Sequence, residues 1–263
     1  MQSPVINYIS FDQAQQETGL RMIVVKGLPS PWGEAAKGIF QLKQLKFNAT
    51  YHDPMSREMS AWTGSRSAPV AIYNNEAPIE SWLDILLLAE RLAPQPALLP
   101  QDPEQRALTI SLCKDLCGEM GLGWTRRLDG VQKGLNGKSL EEGGYPEPIA
   151  QYLAHKYGYN PKQGPNYSKL TINLLKSLST RLKDQQANGQ PFYIGDSITA
   201  VDIYSAAFMA YFKPLPEDQC SMHKPMRAVF EALDAETKAA LDPILLEHRD
   251  YIYSHYLALP LSL

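Results

Sequence analysis

The sequence predicts an α/β unit of about ninety residues followed by an all-helical unit, for a chain of 263 residues. Three observations carry that expectation. Strand and helix signals alternate over residues 20–92 in the order β-α-β, then β-β-α. A segment with four prolines, "APQPALLPQDPEQ" (93–105), separates this half from the next, as a linker does. Beyond it, apolar residues recur at helical spacing with no series of strands.

Each element has its local reason. Residues 20–26, "LRMIVVK", form an apolar and β-branched run that reads as a buried strand. From Pro31 to about Phe47, Ala35, Ile39, Leu42 and Leu45 fall on one helical face. Residues 48–51 read as a short second strand, and 53–64 as a polar stretch with a short irregular helix. "APVAIYNNEAPI" (68–79) reads as two strands around an Asn74-Asn75 turn. "SWLDILLLAERL" (81–92) is a helix that starts near Ser81. In the second half, residues 104–131 read as one long helix bent near Gly118 or Gly121-Gly123. Further helices are expected over 147–157, 167–187, 199–212, 225–233 and 242–257. Residues 1–19 are an extension that offers an added strand ("VINYI") or a helix ("DQAQQ").

Composition narrows the function classes. The chain is 44% apolar and 20% charged, with a formal net charge of -3, which supplies no general electrostatic reason to bind nucleic acid or anionic membrane. No apolar run approaches the roughly 18 residues that span a bilayer. The start lacks a basic region followed by an apolar one, so a secretory signal is not expected, and the sparse cysteines make a reducing, cytoplasmic setting the default. Three cysteines, Cys113, Cys117 and Cys220, are too few for a disulfide framework. Cys113 and Cys117 lie four apart on a helix without a neighbouring histidine, which reads as buried packing and not as a metal site.

Four stretches bear on chemistry. "GLPSPWG" (27–33) places Ser30 at a helix start with Pro31 behind it, where a hydroxyl caps the helix. "SAPV" (67–70) makes Ala68–Pro69 a candidate cis bond at the head of a strand. "IES" (79–81) sets Glu80 and Ser81 before a helix whose unpaired N–H groups suit an anion. "GDSITAVDIY" (195–204) has capping-box spacing between Thr199 and Asp202, with Asp in place of the commoner Glu or Gln; this reads as structural.

Taken in this order, these stretches resemble the cytosolic glutathione transferases, and with the order of elements the resemblance covers nearly the whole chain. "SPWG" occupies the place of the C-P-x-C motif of the thioredoxin-like fold, with Ser30 and Gly33 for the cysteines, and looks most like the serine-type transferases. The resemblance implies a thioredoxin-like, glutathione-binding domain over 20–93, a linker over 94–103 and an all-helical C-terminal domain over 104–263. It implies glutathione as cosubstrate with no metal, an apolar electrophile as the second substrate, and a homodimer.

Residue by residue, Ser30 would donate to the glutathione sulfur, or only cap its helix. Ala68 and Pro69 would meet the peptide backbone of glutathione. Ser81 would hold the γ-glutamyl carboxylate and Glu80 the ammonium, or they would respectively cap the helix and stay solvated. The glycyl carboxylate needs a cation. The sequence departs here from serine-type relatives: Ser67 stands where a lysine is expected, which leaves Arg66 as the candidate, with Arg57 and His52 behind it. Trp32, Trp124, Tyr204, Phe208 and Tyr211 are candidates for the electrophile pocket, of which Trp32 and Trp124 are singled out. Two readings stand beside the transferase: a glutathione- or ligand-binding protein with little catalysis, and a non-catalytic interaction module.

Overall fold

A four-stranded sheet organises the first half of the chain. The computed structural model describes residues 5–263; residues 1–4 of the extension lie outside them. The strands β1 (Asn7–Tyr8), β2 (Leu20–Val24), β3 (Asn48–Tyr51) and β4 (Val70–Tyr73) lie in the order β1-β3-β2-β4. The first three run parallel and β4 runs antiparallel to β2, with Ile23 opposite Val70 and Leu20 opposite Tyr73. The extension supplies not one but both of the elements weighed for it: β1 pairs with β3, and α1 (Phe11–Gln16) follows, started by a Ser10–Gln13 capping box. The expected second strand of the 68–79 hairpin is reduced to one antiparallel bridge, Ala71 to Ile79, because "EAPI" offers two residues at most before the next helix begins.

Helices α2 (Pro31–Leu42), α3 (Arg57–Thr63) and α4 (Trp82–Leu92) complete this half. Helix α2 ends five residues earlier than its apolar pattern suggests. Gln44 takes a left-handed φ of 56°, and the Gln44 and Leu45 N–H groups return to the Gln41 and Phe40 carbonyls at 3.0 and 2.9 Å. These paired bonds close a helix end, and they release Leu45 and Phe47 to pack as loop residues.

The second half holds α5 (Pro103–Cys117), α6 (Leu122–Leu135), α7 (Glu147–Lys156), α8 (Gly164–Ala187), α9 (Ala200–Phe208), α10 (Lys224–Glu231), α11 (Ala235–Ala240) and α12 (Pro243–Tyr256). The single bent helix expected over 104–131 is two helices. Met120 adopts a φ of 59°, and a Cβ on Gly118 or Gly121 would lie 2.7 Å from the Lys114 carbonyl oxygen. Two glycines at that close approach allow a full break where the pattern suggests a bend. Helix α11 has no counterpart among the sequence expectations: six residues are too few for apolar periodicity to show.

The two halves share one core. Met22, Ile39 and Phe40 from the first and Leu116, Ile203 and Phe208 from the second belong to the same buried cluster. Helix α2 lies between sheet and helices, so every residue from Gly33 to Gln41 is buried. Lys43 ties the segment after α4 to the sheet half. Its ammonium pairs with Glu90 at 2.6 Å and donates to the Ala93 and Pro96 carbonyls at 2.7 Å.

Helix α9 is buried along its whole length, and its start is fixed by one carboxylate. Asp202 Oδ2 accepts the Thr199 N–H at 2.8 Å and the Thr199 hydroxyl at 2.9 Å, while Oδ1 accepts the Tyr193 N–H at 3.0 Å. His248 Nε2 lies 3.1 Å from Oδ1 without hydrogen-bond geometry. Asp202→Ala leaves three buried donors without an acceptor, so a loss on the order of 3 kcal/mol is expected. Thr199→Ala keeps the carboxylate, and about 1 kcal/mol is expected. Urea unfolding monitored by circular dichroism checks both, and equal losses would contradict the ranking.

Candidate functional site at one end of the sheet

Sheet direction brings the separated sequence stretches to one end. Strand β2 ends at Val24 and leads to Ser30. Strand β4 runs the other way and starts opposite Ile23, so Ala68 and Pro69 sit at that same end. The return segment bridges Ala71 from Ile79 in the opposite sense to β4, so Glu80 and Ser81 emerge there too. Strand β3 closes opposite Val24 and delivers His52.

Ser30 occupies the N-cap of α2, with φ −64° and ψ 115°, and its carbonyl accepts the Glu34 N–H at 2.8 Å. Its hydroxyl makes no capping bond and has no partner among the described residues. Pro31 at the first helical position already removes one of the donors that a cap would satisfy. A hydroxyl therefore stands free at the positive end of a helix. Ser81 differs: its Oγ accepts the Asp84 N–H at 3.4 Å, a long capping bond, while its own N–H has no partner among the described residues.

The loop before β4 is tied to this second helix start. The Ser65 hydroxyl donates to the Glu80 carboxylate and accepts the Ser67 N–H at 3.0 Å. Glu80 is exposed and has this one side-chain partner among the described residues. The Ala68–Pro69 peptide is cis, as the sequence suggests. Neither the N–H nor the carbonyl of Ala68 has a partner among the described residues. Arg66 is exposed and forms no ion pair with them, and Arg57 is exposed at the start of α3. His52 is half-buried. Burial and the nearby Lys156 hold its pKa below the usual value, with Asp53 opposing.

Both helix starts are pinned to the helical half. The Tyr204 hydroxyl donates to the Trp82 carbonyl at 3.0 Å, and the two rings meet edge-on at 5.8 Å. The Trp32 indole N–H donates to the Cys117 carbonyl at 2.8 Å, and its ring lies edge-on to Phe208 at 4.8 Å. Gly123 makes room for this packing, because a Cβ there would lie 2.4 Å from a Phe208 ring carbon and 3.0 Å from Trp32.

Trp32 and Trp124 belong to one aromatic group, joined through residues the sequence reading did not single out. Trp124 meets Tyr157 edge-on at 4.9 Å. Between Tyr157 and Trp32 sits Arg127, its guanidinium carbon 4.6 Å from the Tyr157 centroid, 5.0 Å from Trp32 and 4.9 Å from Tyr211. It donates to the Tyr211 hydroxyl oxygen. Burial pushes the Tyr211 phenol above its usual range, with Arg127 opposing, so it stays neutral at physiological pH. The only signal in the sequence is an Arg three residues after Trp124, too common a pattern to stand out.

Tyr204 and Phe208 are fully buried and serve as docking surfaces. The cysteines are buried as well. Burial pushes the Cys113 and Cys117 thiols well up, and Cys117 Sγ donates to the Cys113 carbonyl at 2.8 Å. No helix among the described residues is long and apolar enough to cross a membrane.

No family model matches the chain, and no curated protein matches its sequence. Solved structures do. The chain is similar to a glutathione S-transferase from Methylobacterium radiotolerans in complex with glutathione sulfonate, at 19% identity and a TM-score of 0.55, over 90% of this chain and 92% of that one. It is similar to a glutathione S-transferase from Xanthobacter autotrophicus at 15% identity and a TM-score of 0.56, over 92% and 96%. A maleylacetoacetate isomerase from Methylobacterium extorquens, with bound malonate and glutathione, aligns at 16% identity and a TM-score of 0.52, over 87% and 95%. The chain has the glutathione S-transferase fold: a thioredoxin-like unit followed by an all-helical one.

The two serines at the helix starts predict different stabilities on truncation. Ser30→Ala removes no capping bond and is expected to change the unfolding free energy by less than about 0.5 kcal/mol, whereas Ser81→Ala removes one and is expected to cost about 0.5–1 kcal/mol. Paired urea titrations measure the difference, and a larger loss at Ser30 would show that its hydroxyl caps α2 in solution.

Proposed function

We propose that this chain is a glutathione transferase, in which the thiolate of bound glutathione attacks an apolar electrophile. One observation carries the reading: a hydroxyl with no structural duty, at the start of α2, shares one sheet end with the open backbone of Ala68 and the unpaired N–H of Ser81. The glutathione sulfonate and glutathione bound to two structures of the same fold support glutathione as the ligand.

In this reading the N–H and carbonyl of Ala68, ahead of Pro69, pair with the cysteinyl backbone of glutathione as a short added strand. The Ser81 N–H and hydroxyl hold the γ-glutamyl carboxylate at the start of α4, where the helix dipole favours an anion. Glu80 receives the γ-glutamyl ammonium, sharing its carboxylate with Ser65. Arg66 reaches the glycyl carboxylate. Ser30 donates its hydroxyl hydrogen to the sulfur. A free thiol titrates near pH 8.5, so only a few per cent is ionised at neutral pH. A donated hydrogen bond and the positive end of α2 both favour the thiolate. The thiol proton passes to solvent, the sulfur forms a bond to the electrophilic carbon, and that carbon releases its leaving group with the bonding pair. No protein nucleophile is needed, and the chain supplies binding and orientation. Trp32 and Trp124 flank the electrophile.

This reading carries with it the two domains and the 94–103 linker expected from the sequence, a homodimer, a cytoplasmic setting and a role in detoxification. The fold also hosts isomerases, so it does not fix the reaction. The Ser81 hydroxyl is already engaged with Asp84, and Arg66 has no buried support; both favour, as a second reading, a glutathione-binding protein with little catalysis.

Calorimetry with millimolar glutathione and the ultraviolet absorbance of the bound thiolate against pH separate the two. The transferase reading predicts a bound thiol pKa below about 8.5. Ser30→Ala should then raise that pKa by about one unit and slow turnover of a generic electrophile about tenfold. Bound glutathione with an unshifted thiol leaves the carrier, and no heat of binding overturns both.

A further inference from the structure

Arg127 is a cation packed against Trp32 in the first turn of α2, and the proposed glutathione contacts leave it unused. Its guanidinium carries five N–H donors in a planar fork. One is engaged, by the neutral Tyr211 hydroxyl, and no carboxylate of the described residues lies within ion-pairing distance. Arg127 is half-buried, and none of its nitrogens is sealed from solvent without a partner. Six of the other nine arginines are occupied, while Arg57, Arg66 and Arg106 have no ion pair among the described residues and lack a surrounding set of three rings. Arg21, Arg126, Arg181 and Arg249 donate to main-chain carbonyls, and Arg91 and Arg227 pair with Glu76 and Glu231.

Trp32, Tyr157 and Tyr211 turn the guanidinium into a positioned group. Three aromatic rings within 5.0 Å hold the cation and shield part of it from water. A guanidinium fixed in this way loses little freedom when it meets a carboxylate, and the bond it forms is charge-assisted and suited to bidentate geometry. Trp32 lies in the same first turn of α2 as Ser30, so a molecule whose anion sits on Arg127 can extend toward the turn where the sulfur is proposed to sit.

We propose that Arg127 binds a carboxylate of the electrophile, so that the second substrate is an anionic organic acid with an apolar or aromatic body. This rests on the transferase reading for its reaction, though not for the carboxylate site itself.

A matched pair of probes tests it: 4-chloro-3-nitrobenzoate and its neutral counterpart 4-chloro-3-nitrobenzamide. With either, the glutathione sulfur bonds to the ring carbon that carries chlorine, the carbon–chlorine bond breaks, chloride leaves with the bonding pair, and the thiol proton goes to solvent. The full-length protein should favour the benzoate in kcat/KM. Arg127→Gln should lose about tenfold or more with the benzoate, mainly through KM, and change less than about threefold with the benzamide. Arg127→Lys, which keeps the charge but not the fork, should fall between them.

Quenching of tryptophan fluorescence by each probe without glutathione reads carboxylate recognition apart from turnover. Benzoate preference lost in Arg127→Gln, even without any turnover, sustains the carboxylate site while removing the transferase reading. Equal binding of both probes to the unaltered protein overturns the proposal. So does a parallel loss of both in Arg127→Gln, since a purely structural staple affects them alike.

Discussion

The Trp32 indole N–H bonded to the Cys117 carbonyl is the contact on which the rest of the site depends. It joins the first turn of α2 to the last residue of α5, just before the break at Gly118–Gly121. An indole needs a polar partner when its ring is buried, and a helix C-terminus has carbonyls to spare. The bond therefore satisfies both elements at once. It orients the ring so that one edge meets Phe208 and a face is offered to Arg127. Since Ser30 lies two residues before Trp32, the same bond sets where the Ser30 hydroxyl stands relative to the helical half.

The buried helix α9 serves the other helix start in a similar way. Asp202 fixes where α9 begins, and α9 then presents Tyr204 to the Trp82 carbonyl and Phe208 to Trp32. One buried carboxylate thus governs a helix that touches both proposed glutathione-contacting segments. A motif that reads as purely structural supports the site by holding these two positions. The break between α5 and α6 contributes as well. It turns α6 so that Gly123 lies against Phe208 and Trp32, and Arg127, one turn later, reaches the aromatic group.

Much of the fold was legible because its signals are local. The β2 run, the α2 face, the Ser81 helix start and the Thr199–Asp202 box each lie within a few residues. The break at Gly118–Gly121 reads only as a bend, because what decides it is the approach of the Lys114 carbonyl to both glycines. The end of α2 depends on a left-handed Gln44, a conformation its side chain does not announce. At the site, Ser30, Ala68, Glu80 and Ser81 could be named because each sits beside a proline or a helix start. Arg127 could not, since its meaning comes from Trp32, Tyr157 and Tyr211, residues that lie as many as 95 or 84 positions away and meet it only through packing. Whether Ser30 caps its helix is likewise a matter of side-chain direction, and the hydroxyl is free of that duty.

The central claim is that the sheet end bearing Ser30, Ala68 and Ser81 is where glutathione binds. Titrating the isotopically labelled protein with glutathione, and following the backbone amides by nuclear magnetic resonance, tests it most directly. The account predicts that the Ala68 and Ser81 amides and the Trp32 indole N–H shift together along one binding curve. Shifts confined to other surfaces, or none at millimolar glutathione, would contradict it.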